Sequence, residues 1–192
     1  MALTKMTVQD FIEQLASAQP TPGGGSASAL AGAMAAAMVE MACNLTVGRE
    51  KFRDVEADLT VVLGRATELR LALLEAVDQD TDAYAQVSQA YKLPRSTDAE
   101  KAERTAAIQQ ALQYATEVPL NVARAAHETY QLATIAIEKS NPNVASDAKV
   151  AQLLADAARD GALANVNINL GSITDAGFVE RMQQELEAFR GS

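Results

Sequence analysis

Asp78, Asp80 and Asp82 place three carboxylates at alternate positions of one segment. Around them Leu73, Val77, Tyr84, Val87 and Tyr91 follow one another at intervals of 4, 7, 3 and 4 residues, the spacing of a single α-helical face. Asp80 fills the gap in that stripe, three after Val77 and four before Tyr84. Its neighbours are turned from it by roughly 200° and read as solvated surface acids. A carboxylate facing a core is costly unless it is paired, hydrogen-bonded or neutral. Two explanations remain open: an ion pair with a Lys or Arg from another helix, or a functional carboxylate available for proton transfer. A calcium loop is excluded, because Ala83 stands where such a loop needs glycine and Gln89 where it needs glutamate.

A second helical stripe repeats the pattern. Val144, Ala151, Leu154 and Ala158 define it, and Asp147, Asn165 and Asn169 fall on it. Asp147 sits in a first turn, where capping or the helix dipole accounts for an acid. The two amides indicate either a polar network between helices or the wall of a pocket. The stretch Pro20-Thr21-Pro22-Gly23-Gly24-Gly25-Ser26 leads into an alanine-rich helix. Three glycines between prolines and a helix exceed what a turn needs. They expose N–H groups able to hold an oxyanion, and they let a flat ring approach the main chain.

Other chemistries are poorly supplied. His127 is the only histidine and Cys43 the only cysteine, so no metal set is recognisable and no disulfide can form within the chain. No P-loop or dinucleotide fingerprint is present. A net charge of −9 without a basic block argues against nucleic acid or an anionic membrane as partner. The longest apolar run, roughly residues 27–43, contains Glu40. It falls short of the ~20 residues that span a bilayer and reads as a buried helix. A cytoplasmic home is expected.

The elements that must position these residues are helical. Thr7 caps a first helix ending before Pro20; a second runs from about Ser26 to Thr46, with Gly48 as terminator; a third runs from about Lys51 to Tyr91. Thr97 and Glu100 form a capping box for a fourth. Pro119 starts or kinks a fifth, a sixth spans about Asn143 to Asn169, and Thr174 caps a last helix reaching Arg190. Small residues such as Ala29, Gly32, Ala33, Ala36 and Ala37 mark the second helix as central. The expected fold is an all-α bundle of long antiparallel helices, with residues 1–192 as one domain.

The stretches PTPGGGSASALAGAMAAAMVEMACNLTVGREKF, DQDTDAYAQVSQAYKLP, SNPNVASDAKVA and NVNINL resemble, in order, the formiminotransferase-cyclodeaminase C-terminal domain family, which includes stand-alone methenyltetrahydrofolate cyclohydrolases. The resemblance covers essentially the whole chain and implies a cyclodeaminase/cyclohydrolase-like helical fold. It implies a homodimer or higher oligomer, a tetrahydrofolate derivative as substrate and no further cofactor. It places the family's catalytic aspartate on Asp80, the residue the stripe selects independently.

Asp80 is then the catalytic acid–base, with Asp147 as partner or substitute. Gly23, Gly24, Gly25, Ser26, Tyr84, Asn165 and Asn169 form the expected substrate-binding set. Arg49 and Lys51 are its cations for the glutamate carboxylates, or else solvated surface charges. The expected reaction is hydrolysis of 5,10-methenyltetrahydrofolate to 10-formyltetrahydrofolate. Cyclodeamination of 5-formiminotetrahydrofolate and a non-catalytic folate-binding bundle are the alternatives.

Overall fold

Alanine sets the centre of the molecule. In the computed structural model, which describes residues 2–189, helix α2 (Gly24–Asn44) lies against α3 (Glu56–Tyr91), α4 (Asp98–Lys139) and α5 (Ala145–Leu170). Ala29, Ala33, Ala36, Val39 and Ala42 of α2 are buried, so the neighbouring axes can approach closely. The larger buried side chains come from those neighbours: Leu59, Leu73 and Val77 of α3, Leu120 of α4, Val166 of α5. At 21 residues α2 is longer than the apolar run suggests, and by length and composition it could cross a bilayer. More than half of its most apolar window is buried inside the bundle. A short α1 (Val8–Leu15) precedes α2, and α6 (Ala176–Ala188) follows α5. No strand occurs among the described residues.

Most helix ends follow the local code. The Thr7 hydroxyl accepts from the Asp10 N–H, and Thr97 with Glu100 completes a capping box. Gly48 adopts φ +79° just beyond α2, a conformation that favours glycine. Two ends differ from expectation. Phe52 leaves helical dihedrals, so residues 50–55 form a 3-10 turn and α3 starts at Glu56. Asp175, not Thr174, caps α6 by accepting from the Phe178 N–H at 3.0 Å, while Thr174 binds the Gln109 side chain. Arg190 lies outside the described residues.

Pro119 neither starts nor ends a helix: α4 runs through it for 42 residues. A proline lacks the N–H that would reach the carbonyl four residues back, here that of Ala115. Asn169 of α5 supplies the missing donor, its amide nitrogen lying 2.7 Å from the Ala115 oxygen. The expected fourth and fifth helices are therefore one, and the Asn169 amide nitrogen is committed to the helix–helix network. Removing that donor leaves a carbonyl unpaired at a cost of about 1–3 kcal/mol. Asn169→Ala should lower stability by that amount in urea denaturation. Adding Pro119→Ala, which restores the backbone N–H, should recover part of the loss.

Candidate active site

α2 begins with an unusual deficit. Its N-cap is Gly23, which has no side chain to satisfy the first N–H groups. Asp80 of α3 makes good the deficit from another helix. One of its oxygens, Oδ2, accepts the Ser26 N–H at 2.8 Å and the Ser26 hydroxyl at 2.7 Å. The donor at this third helical position is the one an N-cap side chain ordinarily takes. No Lys or Arg pairs with Asp80 among the described residues. Backbone donors and the positive end of α2 stabilise this half-buried carboxylate in place of a cation.

The glycine run is shaped around the same group. A Cβ on Gly25 would lie 2.0 Å from Asp80 Oδ1, so only glycine lets the carboxylate settle on the helix. A Cβ on Gly24 would meet the Asn165 amide at 3.2 Å, whereas at Gly23 it would meet nothing nearer than 3.7 Å. Asn165 donates its nitrogen to the Gly161 carbonyl, and its Oδ1 carries no partner. Gly24, Gly25, Ser26, Asp80 and Asn165 thus converge at one end of the bundle. Asp80 Oδ1 and the N–H groups of Gly24 and Gly25 have no acceptor or donor among the described residues. Such a site offers a fixed base beside free donors.

The remaining expected residues are placed differently. Tyr84 lies one turn beyond Asp80 on the same stripe, 47% exposed. Asp147 lies 18 residues from Asn165 along α5, about 27 Å. Arg49 and Lys51 follow the far end of α2, about 30 Å from its glycines. Within one chain these three stand apart from Asp80. Asp78 is not merely solvated: its carboxylate accepts the Leu3 N–H at 2.5 Å and the Thr4 hydroxyl at 2.7 Å, strapping the N-terminal segment to α3. No spacing signal announces that tie, because its partners lie 74 and 75 residues away. Asp82 is exposed, as expected. Cys43 offers no nucleophile, since burial pushes its thiol up to about 11, with Glu40 adding to the shift. Among the described residues no three His, Cys, Asp or Glu side chains gather as a metal site.

Fold and site together define a helical bundle that holds a carboxylate on a helix N-terminus. The formiminotransferase-cyclodeaminase family matches residues 7–188, and the chain belongs to that family. It is 48% identical over 181 residues to the methenyltetrahydrofolate cyclohydrolase of Methylorubrum extorquens, covering 94% of this chain and 87% of that one. It is 29% identical to the formimidoyltransferase-cyclodeaminase of Rattus norvegicus, but spans only 35% of that protein. The crystal structure of formiminotetrahydrofolate cyclodeaminase from Thermotoga maritima superposes with a TM-score of 0.86 at 33% identity, over 97% of this chain and 89% of that one.

Alanine is normally the better helix former by about 1 kcal/mol, so Gly25→Ala ought to stabilise α2 if Asp80 were elsewhere. The expected result in thermal denaturation is the reverse, a lowered Tm for Gly25→Ala, with Gly23→Ala close to the parent.

Proposed function

We propose that the chain hydrolyses 5,10-methenyltetrahydrofolate to 10-formyltetrahydrofolate, with Asp80 as general base and then general acid. The observation that carries this reading is the divided carboxylate: Oδ2 is tied to Ser26, while Oδ1 is free. The methenyl carbon belongs to a cationic amidinium, which an uncompensated carboxylate attracts. Water adds to that carbon as Oδ1 takes one of its protons, giving a neutral tetrahedral adduct. The C–N5 bond then breaks, N5 receives the proton held by Asp80, and the adduct's hydroxyl becomes the formyl carbonyl. Its proton leaves through the regenerated carboxylate to solvent, so the reaction consumes the substrate's positive charge and releases one proton. The free N–H groups of Gly24 and Gly25 and the Asn165 oxygen are the polar contacts we assign to the bridge and pterin. No cofactor beyond the folate enters this scheme.

The likeness to cyclodeaminases supports a second reading. There N10 attacks a formimino carbon and ammonia leaves, with the same carboxylate moving the protons. The two readings separate by substrate. Decay of methenyl absorbance above the spontaneous rate marks the hydrolase, and growth of that absorbance from 5-formiminotetrahydrofolate marks the deaminase. For the hydrolase, Asp80→Asn should lower kcat by about 10²–10⁴-fold, the usual range for a positioned acid–base, with folate binding retained. Unchanged kcat in that variant would remove Asp80 from the chemistry.

The chain also fits a homodimer in the cytoplasm. Met34, Met41 and Leu45 project from α2 at intervals of 7 and 4 and are exposed, as are Val150 and Leu153 on neighbouring α5. Exposed apolar side chains gathered on two neighbouring helices mark an interaction surface. An antiparallel two-fold pairing of α2 helices would carry Arg49, Lys51 and Asp147 of one copy toward Asp80 of the other. Met41→Asp should shift the sedimenting species from dimer to monomer.

A further inference from the structure

α3 outruns α2. Asp80 marks the level at which α2 begins, and the 11 residues of α3 beyond it extend about 16 Å without that cover. The stripe that positions Asp80 continues across this stretch. Val87 packs on a core cluster that includes Ile108, Val166 and Phe178, while Tyr84 and Tyr91 stand 47% and 51% exposed. Tyr84, Val87, Ser88, Tyr91 and Lys92 line a groove of about 380 Å³.

The groove ends among cations. The Arg104 guanidinium donates twice to the Tyr91 carbonyl, at 3.0 and 3.3 Å, and lies 5.5 Å from the Tyr91 ring. Lys92 follows Tyr91 directly, and Arg95 follows in the short connection to α4. None of the three pairs with a carboxylate among the described residues, whereas Arg65, Arg70, Arg124, Lys139 and Arg159 all do. The acids at the start of α4 are committed elsewhere: Asp98 to Lys101, and Glu100 to the N–H groups of Ser96 and Thr97. In a chain with 25 acids and 16 bases, three unneutralised cations beside exposed aromatic rings favour an anionic, partly aromatic ligand.

We propose that this shelf holds the p-aminobenzoyl-glutamate arm of the substrate. The ring lies along Tyr84, and the glutamyl carboxylates meet Lys92, Arg95 and Arg104. The proposal rests on a folate substrate at Asp80. It moves the carboxylate-binding role from Arg49 and Lys51 to cations that share Asp80's end of the same chain.

The test is titration calorimetry of the full chain with tetrahydrofolate and with tetrahydropteroate, which lacks the glutamate. The parent should bind tetrahydrofolate about tenfold more tightly, as expected for a few exposed charge contacts. The combined variant Lys92→Gln, Arg95→Gln, Arg104→Gln should lose that ratio while its affinity for tetrahydropteroate, helical circular dichroism and sedimentation stay as in the parent. A ratio that survives in this variant overturns the proposal. So does a ratio abolished instead by Arg49→Gln with Lys51→Gln, or a changed oligomeric state, which would give the three cations to a subunit interface. Failure to bind either ligand also overturns it. Turnover measured on the same samples is a separate matter: an intact ratio without turnover removes the hydrolase reading and leaves the shelf.

Discussion

A carboxylate from one helix caps another, and the site is built on that contact. Gly23 cannot satisfy the first turn of α2, and Asp80 reaches across from α3 to do so. A half-buried acid without a cation would ordinarily be a costly feature. Here its partners are a backbone N–H, a serine hydroxyl and the positive end of a 21-residue helix. The contact accounts for Gly25, since any side chain there would occupy the space of the carboxylate. It also leaves the second oxygen unspent, which is the chemical asset of the site.

Such a contact requires α3 to lie close to α2, and the composition of α2 makes that possible. Alanines and glycines replace bulk with proximity, at the expense of the apolar area each residue can bury. The polar residues inside the bundle then take on specific backbone duties. Asp80 serves the start of α2, Asn169 the carbonyl orphaned by Pro119, and the buried Thr46 hydroxyl accepts the Asn141 N–H beyond the end of α4. These side chains mend interruptions in helical hydrogen bonding. Asp80 and Asn165 also keep an oxygen without a partner among the described residues, beside the glycine turn.

Ligand chemistry follows from where the helices stop. α2 begins at the level of Asp80, so the carboxylate lies at the edge of the core, and the apolar stripe of α3 surfaces immediately beyond it. Residues that would have been core under a longer α2 become a shelf with tyrosines on it and cations at its end. A rigid acid therefore adjoins an open, extended surface, an arrangement suited to a ligand with a compact reactive head and a long arm.

The chain by itself determined the helical class, the caps at Thr7 and Thr97, the central place of α2 and the turning of Asp80 toward the neighbouring helix. All of these are local: helical period and capping act over three or four residues, which a linear reading resolves. Tertiary structure alone decided the rest. Pro119 stays inside a helix because a donor 50 positions later reaches the carbonyl it frees. Asn169 thereby binds the backbone of a neighbouring helix, whereas Asn165, on the same stripe, binds that of its own. Asp78 became a strap for the N-terminus, and Asp147, Arg49 and Lys51 fell at the opposite end from Asp80. Periodicity tells which face a residue occupies but not which partner meets that face or at what height along the bundle. Those depend on how far each helix extends past its neighbours, a property of the packed assembly.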